Sequence, residues 1–359
     1  MKNLTSSITW STYPAYPRAI LSILQVIGTA KSKIGLVSED TSRAIEEAIQ
    51  EVIQASFDWK ILGVSDLSLT KKILEEVIAK IPEKLQPEAR EALTAGYSPY
   101  ALFLTAKEYV ILRELRLLLD STSNLKKILL QKAQAFSEER TYARDHLRDA
   151  DEINFSTVFE IFEQGISEQD ELISCSLNRW NINYLISYRP GLEEAPTNIS
   201  GFQSALRQEL EKQFELKLDN LPGYLDFLNF GVKLLNSHAL LQGLSTQVWR
   251  IANDLRIRAS GPRGGLSEIT LPAVAPGSSI MPGKLNPVIA EMIYGTCDQV
   301  DADHAGISMS LKSGWLETAA TSSLSLKAYL QSVELLRRSI DCFTNLCISG
   351  VEINKRLKF

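Results

Sequence analysis

Between residues 276 and 287 the sequence reads Pro276-Gly277-Ser278-Ser279-Ile280-Met281-Pro282-Gly283-Lys284-Leu285-Asn286-Pro287. Two glycines and three prolines exclude regular structure there, and Gly277 and Gly283 permit positive φ and close approach of the backbone to a ligand. The loop carries two hydroxyls (Ser278 and Ser279), one ammonium (Lys284) and one amide (Asn286). It ends where a helical pattern resumes with Val288, Ile289 and Met292. Donors of this kind ahead of a helix N-terminus can hold an anion; the same composition also makes an ordinary surface turn. A second stretch, Arg144-Asp145-His146-Leu147-Arg148-Asp149-Ala150, surrounds a histidine with charges of both signs. An imidazole beside a carboxylate can bind substrate or pass protons. An exposed histidine in a charged connector reads the same way.

The elements that must position these groups are helical. Over 98–132, apolar residues recur three and four apart (Leu102, Leu104, Val110, Leu112, Leu115, Leu118, Leu119), which places them on one helix face. Similar patterns cover 151–186, 224–256, 287–311 and 323–348. These segments run to about 25–37 residues, well beyond the usual three-turn helix. Faces of that length must be buried against one another or against another copy. The expected fold class is therefore all-α: a long helical bundle over 98–359 and a smaller helical N-terminal region over 1–97. Shorter helices are expected in the latter at 18–33, 41–57 and 69–81, with Pro82 and Pro87 as punctuation.

A chain of 359 residues with 45% hydrophobic and 23% charged residues has an ordinary globular composition. No run approaches the roughly 18 apolar residues of a membrane span, and no apolar segment follows the N-terminal Met1-Lys2-Asn3 as a secretory signal requires. A cytoplasmic protein without membrane contact is expected. The net charge of −5 argues against nucleic acid as partner. Cys175, Cys297, Cys342 and Cys347 lack metal-ligand spacing and read as buried thiols.

Residues 251–291 contain Ile251-Ala252-Asn253-Asp254-Leu255-Arg256, Ala259-Ser260-Gly261-Pro262-Arg263 and then the serine loop. This stretch resembles, almost residue for residue, the signature region of class II fumarases and aspartases. Members of that superfamily take a proton from the carbon beside a carboxylate and then expel an amine or hydroxyl from the next carbon. The intermediate is a carboxylate carrying two negative charges, which fixed donors and a cation stabilise. The resemblance implies that Ser278 is the base, that Lys284 and Asn286 grip the activated carboxylate, and that Ser279 lies beside them. It also implies that His146, in a segment similar to the family's Thr-His-Leu-Gln-Asp-Ala pattern, shares the active site with Glu291. His238 matches a less central histidine and reads as structural, and His304 carries no functional argument. A homotetramer is implied, with each active site drawn from three subunits. No metal or organic cofactor is implied, because the substrate's own carboxylate is the electron sink. The chain ends at Phe359, just after the last bundle helix, so the family's small C-terminal domain is expected to be absent.

The N-terminal half departs from the pattern. Asp145 stands where the family has Thr or Ser, and a carboxylate there repels a carboxylate substrate, with Arg148 available to offset it. Of the family's first hydroxyl-rich segment only Ser68 and Thr70 keep hydroxyls. The second falls near Ala95-Gly96-Tyr97-Ser98-Pro99-Tyr100, which lacks the Asn-Asp pair. Tyr97 and Tyr100 point to a bulkier or less charged substrate. The leading expectation is a lyase that breaks or forms a C–N or C–O bond on an altered carboxylate substrate. The alternatives are a binding or scaffold protein, and an isomerase or cyclase using the old pocket.

Overall fold

In the computed structural model, the described residues are 15–55, 66–97, 99–177, 179–180, 182–185, 201–215, 217–218, 223–275, 277, 280–281, 284–313 and 323–354. They are dominantly helical and form two compact units: residues 1–113, 178–233 and 309–327, and residues 114–177, 234–308 and 328–359. Four of the five unit boundaries fall inside long helices, and the fifth follows Leu177. No helix among the described residues is long and apolar enough to cross a membrane.

The first unit holds helices α1 (Ala15–Lys33), α2 (Glu39–Gln54), α3 (Asp66–Lys80), α4 (Gln86–Thr94) and α7 (Phe202–Phe214). It also holds the N-terminal parts of α5 (Pro99–Ala135) and α8 (Gly223–Arg258). Helix α1 buries Ile20, Leu21, Ile23, Leu24 and Ile27 and packs on α2 and α7. Ser38 caps α2, its hydroxyl accepting from Thr41 N at 3.3 Å. Glu88 of α4 accepts from the Thr41 hydroxyl and from Ser38 N and Oγ, hydrogen bonds that hold its carboxyl below the usual range. Helix α4, unexpected from the sequence, begins beside Pro87; near a helix start the missing N–H of proline costs nothing. Its C-terminal carbonyls are taken by buried Lys31, whose ammonium donates to Ala92 O at 2.6 Å and Ala95 O at 2.7 Å. Burial pushes that lysine down to about 8. In mid-α5, Glu108 is fully buried and accepts from Tyr184 OH and from Lys233 Nζ, each at 2.6 Å.

The second unit holds the rest of α5 and α8, then α6 (Phe155–Leu177), most of α9 (Val288–Ser310) and of α10 (Ser323–Leu346), and four short strands. Strands β1 (Arg140–Asp145) and β2 (Arg148–Asn154) form one antiparallel pair; β3 (Ile269–Thr270) and β4 (Glu352–Ile353) form another. The helix expected over 151–186 is therefore shorter at its start, because 148–154 pairs as a strand. Phe159 meets Phe136 and Phe162 edge-on at 5.5 and 5.9 Å. Helices α6 and α8 approach through two reciprocal notches. A Cβ on Gly165 would lie 2.8 Å from Gln247 Oε1, and a Cβ on Gly243 would run into Gln169 Oε1. All four cysteines are free thiols; Cys297 and Cys347 are buried as expected, whereas Cys175 is exposed.

A polar chain crosses this unit. Ser332 donates to Asp303 Oδ2 at 2.9 Å, so its oxygen accepts from His238 Nε2–H at 2.9 Å. His238 Nδ1 must then accept, and the proton of the 3.1 Å contact belongs to His304 Nδ1. Burial, and next the neighbouring His304, push His238 down to about 3, so it is neutral, which fits its structural reading. Below pH 6.5 the unfolded chain takes up a proton that folded His238 refuses until about pH 3. Stability is therefore expected to fall across that window, by up to about 1.4 kcal/mol per pH unit from this group. Urea unfolding at stepped pH checks it: His238→Gln should be less stable at pH 7 yet show a flatter acid slope.

Candidate functional site

The histidine segment is a hairpin. Asp145 pairs with Arg148, leaving His146 and Leu147 as a two-residue turn, and both have positive φ, 50° and 61°. Turns of this kind favour Asn-Gly, because a side chain in the left-handed region costs roughly 1–2 kcal/mol. The register slips between Tyr142 and Arg144, where Ala150 and Asp151 face the single residue Ala143. Such a bulge twists the ribbon and re-aims its tip. His146 is 91% exposed, with Asp145 Oδ1 3.6 Å from its Nε2.

The base of the hairpin is buried and charged. Glu268 accepts from Thr141 Oγ1 at 3.0 Å and Arg144 Nη2 at 2.7 Å on one oxygen, and from Arg258 Nη1 at 2.7 Å on the other. The Glu268 side chain is 2% exposed, and Arg258 also lies over the Phe155 ring at 5.6 Å. Arg144 Nε sits 3.2 Å from Asp149 Oδ1 on the opposite strand. The sequence reading passed over this cluster. Its signal was an acid just ahead of β3 together with an arginine in each motif segment.

Residues 258–270 make a compact return. Ser267 N donates to Ser260 O at 2.7 Å and Glu268 N to Arg258 O at 2.9 Å. A Cβ on Gly265 would collide with the Ser260 and Gly261 backbone, so this turn requires glycine. After β3 the chain reaches the serine loop. Ser278 and Ser279 lie outside the described residues. Gly277 abuts the far end of the loop, where a Cβ would stand 3.0 Å from the Lys284 carbonyl oxygen. Lys284 N donates to Met281 O at 3.1 Å, and Glu291 N to Pro287 O at 3.1 Å opens α9. Glu291 thus occupies the first turn, where the helix dipole favours a carboxylate.

Lys284, Asn286 and Glu291 are all exposed, as are Ile280 and Leu285. Among the described residues no hydrogen bond or ion pair joins His146 to Glu291. In the first unit, Thr70 faces inward from α3 with a buried hydroxyl that has no hydrogen-bond partner among the described residues. Ser68 lies on the same helix, its side chain outside the described residues. Tyr97 is half-buried and donates its hydroxyl to Leu93 O, and burial raises its pKa. No group of three or more histidine, cysteine and acidic side chains among the described residues could hold a metal ion.

The chain and its helical fold have counterparts in known proteins, and these define a class. Residues 7–301 match the model of the lyase family. The chain is 32% identical to aspartate ammonia-lyase of Bacillus subtilis over 361 residues, covering 94% of this chain and 75% of that protein. It is 26% identical to class II fumarate hydratase of Rhizobium meliloti over 367 residues, 96% and 77% of the two chains. A class II fumarase structure from Schistosoma mansoni superposes with a TM-score of 0.86 at 23% identity, covering 99% of this chain and 79% of that one, which shows the shared fold. The chain belongs to this family and is a lyase of the fumarase/aspartase superfamily.

Leu147 is 72% exposed and makes no core contact to lose. Leu147→Gly relieves the left-handed strain and gives back part of it as unfolded-state entropy, so a net gain of about 0.5–1 kcal/mol is expected. A shift of the urea midpoint to higher concentration at constant slope would show it; a shift of similar size downward would mean the leucine is held by packing.

Proposed function

We propose that this protein catalyses β-elimination, or the reverse addition, at a C–N or C–O bond next to a carboxylate, on a substrate other than the family's small dicarboxylates. Ser278 takes the proton from the carbon beside the carboxylate, and the electron pair moves into that carboxylate. Lys284 and Asn286 hold its doubled charge, and collapse expels the amine or hydroxyl from the next carbon. His146, with Glu291, acts in the same site. The observation that carries this reading is the hairpin tip. A histidine and a leucine stand in the left-handed region, where Asn-Gly would be cheaper, above a base held by a buried carboxylate. Backbone strain kept in place by its surroundings is characteristic of functional positions.

The exposure of His146, Lys284, Asn286 and Glu291 in one chain supports a site completed between subunits. We therefore assign a homotetramer in which the His146–Glu291 pair forms across an interface; a cytoplasmic location and chemistry without a cofactor are part of the same proposal. An altered substrate is supported by three features. Asp145 lies 3.6 Å from the His146 imidazole, the Thr70 hydroxyl faces the interior, and the Tyr97 hydroxyl is committed to Leu93 O. The last two also favour the second reading, a family member that kept the bundle as a binding or scaffold protein or turned the pocket to an isomerisation or cyclisation.

Incubation of the purified protein with malate, aspartate, argininosuccinate and succinyl analogues in deuterated water, followed by NMR, tests the main reading. Deuterium beside the carboxylate, or fumarate formation, should appear with the wild type. With Ser278→Ala the rate should drop by at least about 100-fold. Equal rates in both proteins would remove Ser278 from the mechanism, and a scaffold would show no exchange in either. The Asp145→Thr variant separately tests substrate choice. Removing the like charge should lower KM for dicarboxylates by about 10-fold, and an unchanged KM would place Asp145 away from the substrate.

A further inference from the structure

Glu268 is the carboxylate toward which the elements around the candidate site converge, and nothing in the chemistry proposed above uses it. It lies beyond the C-terminus of α8 and immediately before β3, the strand that leads toward the serine loop. One of its oxygens accepts from two hairpin residues, Thr141 and Arg144, and the other from Arg258 at the end of α8. Its backbone is held as well: N donates to Arg258 O, and its carbonyl accepts from Asn354 N, each at 2.9 Å. The Asn354 amide also donates to Ser267 Oγ at 3.1 Å. The carboxylate therefore cannot follow the hairpin; the hairpin must follow the carboxylate. Arg144, near the end of β1, stands two residues before His146, and the side chains at the tip lie in the open, with Asp145 83% and His146 91% exposed.

We propose that Glu268 is the positioning residue of His146, fixing the height and direction of the hairpin tip relative to the strand that delivers the serine loop. This rests on the reading of His146 as an active-site residue. Arg144 and Arg258 are each 14% exposed, so in the absence of the carboxylate two guanidiniums would face each other with little water between them. Their repulsion drives Arg144 outward, and the tip swings with it. Two guanidiniums and one hydroxyl converging on the two oxygens of one carboxylate give this anchor its directionality. Displacement of a catalytic group by about 1 Å is enough to lower a rate by roughly 100-fold.

The test compares wild type with Glu268→Gln, Glu268→Asp and Thr141→Val, each as the full chain. Backbone hydrogen exchange is followed by mass spectrometry, and turnover is measured on whichever substrate the exchange panel identifies. With Glu268→Gln, amide exchange over 140–154 should accelerate at least about 10-fold while the interior of α6 keeps its protection. On the same variant kcat should fall about 10- to 100-fold with KM changed less than about 3-fold. Glu268→Asp, which keeps the charge, should recover part of kcat. Glu268→Gln combined with His146→Asn should be no slower than His146→Asn alone, because a residue that acts only through His146 adds nothing once the imidazole is gone. Thr141→Val loses one neutral donor and gives a smaller change of the same sign; it replaces Glu268→Gln if that protein does not fold. Unchanged hairpin exchange in a folded Glu268→Gln protein overturns the proposal, and so does a double variant slower by the product of the single effects. If the wild type turns over nothing, the lyase reading falls, while hairpin exchange still decides whether Glu268 holds the tip.

Discussion

A helix of 37 residues carries its apolar stripe through about ten turns, and a charged side chain on that stripe is costly unless a partner inside the protein meets it. This constraint shapes both units. In α5 the buried face includes Thr105, Lys107, Glu108 and Thr122 among leucines and isoleucines. Glu108 is tolerable there because Tyr184 and Lys233 deliver donors to it, and Lys233 in turn lies 5.3 Å from the centre of the Trp180 ring. In the second unit the same requirement is met by Lys126 with Asp170 and by the chain from Asp303 through Ser332 to the two histidines. Removing one partner from such a set leaves a charge with nothing to oppose it, which is more damaging than losing a methyl group.

The groups assigned to chemistry sit on the connections between helices. His146 is on a two-residue turn, Lys284 and Asn286 precede α9, and Glu291 is in its first turn. Connections lack the packing that immobilises a helix, so each is held by a polar contact or by a close backbone approach that only glycine allows. The hairpin has Glu268 at its base, the 258–270 return has its glycine-dependent crossing at Gly265, and the serine loop brings Gly277 against Lys284. The helices supply spacing, and the connections supply direction.

Much of this is legible in the residues. The long apolar periods give α5, α8, α9 and α10 to within a few positions, because about six to ten turns of one face leave a strong signal. Residues 251–291, which include the Ser278 segment, carry the resemblance to the family. The hairpin is harder to see, because Arg140 to Asn154 contains few apolar residues and its pairing depends on charges such as Arg140 with Glu152 at 3.1 Å, not on alternation. Helix α4 hides behind Pro82 and Pro87. Helix α7 is short, although Phe202, Ala205, Leu206 and Leu210 have the right spacing and are buried. The role of Glu268 has no periodicity at all. Its partners are 10 to 127 positions away in the chain, and only folding brings them together.

The two glycine notches between α6 and α8 act as a gauge block. Gly165 receives Gln247 while Gly243 receives Gln169, so the helices run in opposite directions and each tooth fixes the other's slide along the axis. From the first notch to Phe155, just after the hairpin ends, is about 15 Å of helix, and from Gln247 to Arg258 about 16 Å. The two arms are nearly equal, and they end on each other where Arg258 covers Phe155. A slip of one residue at the notches would carry the hairpin base about 1.5 Å off its seat. Pairs of small and amide residues between the two helices thus calibrate where the hairpin base, about three turns away, comes to rest. Their substitution should be felt first as lost alignment, before any loss of fold.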